Sequence, residues 1–125
     1  MNKYRLAVYG SLRKGMGNHF FMSSGKFIKK VWLKGWDMYS LRVFPYVVPT
    51  DNNNNILVEL YETDKDSFRP IHEMETGAGY HYTTVIVDGE QWLIYYFPDK
   101  LNTDEEKVVG GDWNEYKTER DRNKL

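Results

Sequence analysis

The sequence predicts an α+β domain built on a small, mostly antiparallel, barrel-like sheet with short helices. Three observations favour this fold class: apolar or alternating runs of strand length recur along the chain, turn residues separate them, and helix signals are short and few. At 125 residues the chain is long enough for one core. We therefore expect a single domain over residues 1–116 and a charged, flexible tail at residues 117–125.

The strands of the first half follow from hydrophobic patterning. Leu6–Tyr9 is a short apolar run and predicts a buried first strand. Imperfect alternation predicts half-buried strands at Phe27–Val31 and Leu33–Leu41. Two prolines bracket Tyr46–Val48, which places this piece at a sheet edge. After an asparagine-rich turn, Ile56–Glu62 is the next predicted strand.

The second half combines one helix with a hairpin. Proline is tolerated best at the first helical position, so we expect a short helix at Pro70–Glu75, ended by Gly77. Tyr80–Val87 is rich in β-branched and aromatic residues and predicts a strand. Asp88-Gly89 is a strong hairpin turn, and it leads into a further strand at Gln91–Phe97.

Composition and charge narrow the functional classes. Seventeen Lys and Arg residues against eighteen Asp and Glu give a formal charge of −1, so nothing attracts the whole chain to nucleic acid or an anionic membrane. There are no cysteines, and the three histidines do not have metal-ligand spacing, so we expect no metal. The beginning of the chain lacks an apolar run of signal or membrane-spanning length, which favours a cytoplasmic protein.

The stretch Tyr9–Leu12 joins the first strand to a loop that is suited to an anion. Gly10 permits a positive φ and has no Cβ, so consecutive backbone N–H groups can face a carboxylate or phosphate. The hydroxyl of Ser11 adds a cap or a further donor, and Arg13 and Lys14 are expected to make the rim positive. The alternative is a plain strand-to-helix turn.

One carboxylate on the predicted helix is placed for proton transfer. Ile71, Met74 and Glu75 fall on one side of the helix by the i,i+3 and i,i+4 rule. If the first two pack inward, Glu75 lies at the edge of the core, where an acid/base residue is needed. Glu73 should point away from that side. The alternative for Glu75 is a solvated helix carboxylate.

Several stretches together resemble the γ-glutamylcyclotransferase-like (AIG2-like) family. The loop resembles its Tyr-Gly-Ser/Thr-Leu motif, and the residues that follow look most like the γ-glutamylamine cyclotransferase branch. The resemblance extends over about residues 4–116. The stretches that carry it are Tyr9–Leu12, Lys14–His19, Gly35–Leu41 with Phe44-Pro45, Ile71–Tyr80 and Gly110–Tyr116.

The resemblance implies an enzyme that cyclises a γ-glutamyl amine or γ-glutamyl amino acid and releases 5-oxoproline and the free amine. It assigns the acid/base role to Glu75 and needs no cofactor. Among the residues that depart from the family pattern, His72 replaces the usual aspartate and Tyr82 stands where arginine is common, and Val58 stands where glycine is usual. The substrate-binding residues that it implies are Tyr9, Gly10, Ser11, Leu12, Pro45 and Tyr80.

Two other readings stay open from the residues alone. A non-catalytic binding module would use the same loop and aromatic pocket to hold an amino-acid-like or acidic ligand, and Glu75 would then be incidental. A nucleic-acid adaptor would need a local basic patch, which the near-zero net charge disfavours. We expect a small-molecule γ-glutamyl substrate as the partner, with no nucleic acid and no membrane. The residues available for the patch are Arg13, Lys14, Lys26, Lys29, Lys30 and Lys34.

Overall fold

A computed structural model describes residues 3–17, 19–22, 24–41, 44–102 and 104–122. The strands are β1 (Tyr4–Val8), β2 (Lys26–Lys34), β3 (Trp36–Ser40), β4 (Pro45–Pro49), β5 (Asn55–Thr63), β6 (His81–Val87) and β7 (Glu90–Tyr96). The helices are a 3-10 turn (His19–Met22), α1 (Lys65–Gly77) and α2 (Trp113–Arg122). In the described part of the chain, no helix is long and apolar enough to cross a membrane.

The main sheet has five strands in the order β2-β5-β1-β7-β6, and β3 and β4 form a separate hairpin. Among the strand pairs in the described residues, only β1–β7 is parallel, so the predicted mostly antiparallel α+β fold is confirmed. Lys29 on the edge strand β2 forms an ion pair with Asp88, in the turn after the other edge strand β6. The two edges therefore approach each other at one end, as expected for a sheet that curls towards a barrel.

Strand β1 lies in the middle of the sheet and contributes to both faces. Its side chains alternate, as a strand requires: Ala7 packs in a cluster with Met38 and Trp113, whereas Leu6 packs in another with Ile71. Helix α1 thus covers one face, and the β3–β4 hairpin and α2 cover the other. The residues that follow β1 consequently emerge from the centre of the domain.

Helix α1 begins earlier than the predicted helix at Pro70–Glu75. Asp64 caps it, because the Asp64 side chain accepts a hydrogen bond of 2.8 Å from the Ser67 amide. This cap starts the helix at Lys65 and leaves Pro70 inside it, in the second turn, where a proline removes only one backbone hydrogen bond. The helix also continues two residues beyond the predicted Glu75, through Gly77, and the positive φ that follows it belongs to Gly79.

The C-terminal helix α2 extends through Arg122 and covers most of the segment that the sequence predicts to be a flexible tail. The amides of Asn114 and Glu115 donate to Asp112 Oδ1, at 3.1 and 3.3 Å, so an aspartate again caps the helix. Trp113 is fully buried and anchors the first turn in the core. The Arg120 guanidinium lies 5.7 Å from the centre of the Trp113 ring.

Candidate active site

A mostly apolar cavity of about 290 Å³ lies between the loop that follows β1, the β3–β4 hairpin and the last turns of α1. Every residue that the sequence assigns to the site lines this cavity: Tyr9, Gly10, Ser11, Leu12, Pro45, Glu75 and Tyr80. Positions as far apart as residues 9 and 80 therefore meet in one place. The lining residues that the sequence did not assign include Leu41, Phe44, Met74, Ala78 and Tyr95.

Gly10 is required at the loop by close packing. A Cβ built on it would lie 2.6 Å from Pro45 Cγ and 2.8 Å from Pro45 Cδ, which no ordinary side chain tolerates. Gly10 does not have the positive φ that the sequence suggested. The missing Cβ therefore explains this glycine, because it lets the proline of the β3–β4 hairpin lie directly against the loop.

The loop folds back on itself through a run of turns. The Arg13 amide donates to the Gly10 carbonyl at 2.9 Å, and the Met16 amide donates to the Arg13 carbonyl at 3.0 Å. His19 Nδ1 lies 2.9 Å from the Leu12 carbonyl oxygen and ties the 3-10 turn to the loop. These bonds fix the course of the loop backbone.

The predicted positive rim is wrong for Arg13, whose side chain is only 3% exposed. Its Nε donates to Glu59 at 3.0 Å and its Nη1 donates to Asp112 at 2.8 Å. Glu59 also accepts bonds from the Lys14 amide and the Tyr61 hydroxyl. Burial opposes ionisation of Glu59, but the bonds from Lys14, Arg13 and Tyr61 outweigh it and lower its pKa. Arg13 therefore clamps the loop to β5 and α2, and it cannot belong to a surface basic patch.

Glu75 lies on the last full turn of α1 and faces the cavity. Its burial among apolar groups raises its pKa from 4.5 to about 7. The cause of this shift is the loss of hydration on burial. Glu73, two residues earlier on the same helix, is exposed to solvent. The two glutamates thus have opposite environments.

Three tyrosines surround the carboxylate. The Tyr9 hydroxyl donates to the Tyr95 carbonyl at 2.7 Å, and the Tyr80 hydroxyl donates to the Pro45 carbonyl at 2.7 Å. The Tyr95 hydroxyl is hydrogen-bonded to His72 Nδ1 at 2.9 Å. Burial raises the pKa of all three tyrosines, and the charge of Glu75 raises it further. These hydroxyl groups therefore stay protonated at neutral pH.

His72 and Tyr82, which both depart from the family pattern, contact each other beside this cluster. The rings of His72 and Tyr82 meet edge to face, with centres 4.8 Å apart. The ring of Phe68 stacks on His72, with centres 5.2 Å apart. His72 is thereby held in an aromatic sandwich that aims its Nδ1 at Tyr95.

A second depression, of about 460 Å³, lies between α2 and the residues that precede it. It is larger, but none of the predicted site residues lines it, and charged side chains of both signs, such as Glu115 and Arg120, form much of its wall. We place the candidate active site in the smaller cavity because a perturbed carboxylate and an apolar wall coincide there. Among the described residues, no group of three His, Asp or Glu side chains is arranged to hold a metal ion.

Comparison with known proteins places this geometry in context. Residues 6–115 match the family model described as gamma-glutamyl cyclotransferase, AIG2-like. A Pyrococcus horikoshii protein provisionally named a gamma-glutamylcyclotransferase is 32% identical over 111 residues, which cover 89% of this chain and 91% of the relative. A similarly named Methanocaldococcus jannaschii protein is 32% identical over 118 residues, covering 88% and 95%. The crystal structure of the Pyrococcus horikoshii protein superposes with a TM-score of 0.81 at 31% identity and covers 95% of this chain and 97% of its own.

Proposed function

This chain belongs to the gamma-glutamyl cyclotransferase, AIG2-like family, and from that premise we propose that it cyclises a γ-glutamyl amine or γ-glutamyl amino acid. The products are 5-oxoproline and the free amine, and Glu75 is the acid/base. One observation carries the proposal: the Glu75 carboxylate and the Gly10–Leu12 loop line the same apolar cavity. A γ-glutamyl group has an α-ammonium that can meet the Glu75 carboxylate and an α-carboxylate that can meet the loop.

The reaction is an internal acyl transfer. Glu75 removes a proton from the α-ammonium, and the resulting amine attacks the γ-carbonyl carbon of the same glutamyl group. The bond between that carbon and the nitrogen of the attached amine then breaks. Protonated Glu75 returns this first proton to the leaving nitrogen. It then takes the second proton from the attacking nitrogen and passes it to the released amine, which departs as an ammonium, so one carboxyl group completes the transfers and ends in its starting state.

The pKa of Glu75 suits this task. A glutamate near 4.5 is a weak base towards an ammonium, whereas burial raises the pKa of Glu75 to about 7. A group that titrates near neutral pH can both accept and return the proton, which contributes a rate factor on the order of 10²–10⁴.

The loop and the aromatic walls hold the substrate in a folded form. Backbone N–H groups of Gly10–Leu12 anchor the α-carboxylate, as a turn rich in amide donors does for anions. Pro45, which packs against Gly10, and Tyr80 also line the cavity, and they are joined by the bond from the Tyr80 hydroxyl to the Pro45 carbonyl. Bringing the amine onto its own γ-carbonyl in this way is worth about 7–11 kcal/mol of the barrier.

The test is 5-oxoproline release from γ-glutamyl amines, γ-glutamyl amino acids and glutathione. We expect turnover of at least one substrate class and a fall of at least about 100-fold in Glu75→Gln, which preserves shape but does not titrate. Glu73→Gln is the matched control and should stay within a few-fold of wild type. Wild-type rates in both variants would refute the role of Glu75. If the wild type binds these compounds but releases no 5-oxoproline, the non-catalytic binding module is the better reading.

A further inference from the structure

We propose that the Tyr95 hydroxyl is a catalytic hydrogen-bond donor to the γ-carbonyl oxygen of the substrate, and that His72 is the residue that positions it. This role rests on the proposed cyclotransfer, because the carbonyl oxygen becomes negatively charged only when the amine attacks. Tyr95 lines the cavity together with Glu75, and His72 contacts the Tyr95 hydroxyl from helix α1.

Tyr95 differs from the other two tyrosines of the cavity in the hydrogen-bond partner of its hydroxyl group. Tyr9 and Tyr80 each donate to a backbone carbonyl, an acceptor that has no proton to give in return. Their hydroxyl protons are therefore committed to the wall. The partner of Tyr95 is His72 Nδ1, at 2.9 Å, and an imidazole nitrogen can be either donor or acceptor. When Nδ1 carries the proton, it donates to the Tyr95 oxygen, and the tyrosine proton turns away from His72 towards the cavity.

The position of His72 on the helix supports this coupling. It precedes Glu75 by three residues, so the two side chains emerge on the same side of α1. The rings of Phe68 and Tyr82 hold the imidazole from two sides, and the Thr76 hydroxyl donates to the His72 carbonyl at 2.7 Å. One stretch of helix therefore presents the base and, through His72, orients the donor.

The reaction needs such a donor. When the amine attacks the γ-carbonyl carbon, negative charge develops on the carbonyl oxygen. This happens inside an apolar cavity that also contains the carboxyl group of Glu75. A preorganised donor at that oxygen is worth on the order of 10²–10³ in rate. Burial, together with the charge of Glu75, raises the pKa of Tyr95 above its ordinary value, so the hydroxyl keeps the proton that it donates.

Steady-state kinetics of 5-oxoproline release in matched variants tests the pair. We expect Tyr95→Phe to lower kcat about 100-fold while KM stays within about threefold, because the bond forms mainly in the transition state. His72→Phe keeps a ring between Phe68 and Tyr82 but removes Nδ1, and it should lower kcat about tenfold. His72→Asn loses the ring but places an amide near the position of Nδ1, and it should retain more activity than His72→Phe. The double variant should be no slower than Tyr95→Phe alone.

The control is Tyr96→Phe, which removes a hydroxyl from the neighbouring residue of β7, on the opposite face of the sheet from Tyr95, and should turn over like wild type. A purely structural role for His72 predicts the reverse order, with His72→Asn worse than His72→Phe and a lowered melting temperature. That order, or a wild-type kcat in Tyr95→Phe, would overturn the inference. If Glu75→Gln is inactive in the same assay, the proposed function survives that result. If the wild type itself releases no 5-oxoproline, the proposed function fails and this role fails with it.

Discussion

Replacing Glu75 by glutamine should stabilise the fold, and the gain should grow with pH. The pKa of this carboxyl rises from 4.5 to about 7 on folding because burial in the cavity removes water from around it. Below pH 4.5 both states hold the proton, so the native state suffers no penalty. Between 4.5 and about 7 the unfolded chain releases the proton while the folded chain keeps it. Stability therefore falls as pH rises through this window.

The size of the effect follows from the same two values. Each pKa unit corresponds to about 1.4 kcal/mol, so the wild type loses about 3 kcal/mol between pH 4.5 and a pH well above 7. Glutamine cannot ionise and avoids the whole loss. The difference in free energy of unfolding between Glu75→Gln and wild type should therefore be near zero at about pH 4 and about 3 kcal/mol at about pH 8.

Urea unfolding of both proteins across this pH range measures the difference directly. Other titrating groups are common to the two proteins and cancel. Glu73→Gln is the control: Glu73 is exposed, so its variant should differ from wild type by less than about 0.5 kcal/mol at every pH. A gain for Glu75→Gln that does not change with pH would mean that the carboxylate is well solvated in the native state. The acid/base reasoning would then lose its premise.

Three further predictions concern the same site. The kcat/KM for cyclisation should rise as pH increases through about 7, because Glu75 must be ionised to accept a proton, and a profile that is flat from pH 5 to 9 would contradict this. Glu59→Gln should lower the free energy of unfolding by about 3 kcal/mol, because it leaves buried Arg13 without one of its two carboxylate partners. Urea titration measures this, and an unchanged midpoint would refute the role of Arg13 in holding the loop to β5 and α2. Gly10→Ala should lower the free energy of unfolding by about 1–3 kcal/mol and reduce kcat/KM, because the alanine Cβ would lie 2.6 Å from Pro45 Cγ. Wild-type stability and wild-type kcat/KM would show that this contact is not tight.

The parts of the site that lie within short motifs could be predicted from the sequence. The loop at Tyr9–Leu12 carries its signal in consecutive residues, and Glu75 follows from the spacing of a single helix. The structure brings both to one cavity. Tyr95 was not predicted because β7 contains several aromatic residues in a row, and only packing against α1 decides which of them reaches the cavity.

A long-range pairing accounts for the position of Arg13, and local caps account for the helix starts. Arg13 was expected on the rim because it is charged and lies in a loop, but its partners Glu59 and Asp112 are 46 and 99 residues away in sequence. No local pattern reveals such a pairing. The early start of α1 and the length of α2 have a local cause, since an aspartate caps each helix, at Asp64 and Asp112. In both helices, the cap and the tertiary contacts stabilise residues that the proline position or the high charge had suggested would not be helical.

The most direct test of the central claim is a product balance for wild-type protein with a γ-glutamyl amine, followed by NMR. Cyclotransfer through Glu75 predicts one 5-oxoproline and one free amine for each substrate consumed, with no glutamate, because the nucleophile is the α-amine of the substrate and not water. Glutamate in place of 5-oxoproline would show that the cavity directs a hydrolytic water, and unchanged substrate across all γ-glutamyl compounds would contradict cyclotransfer.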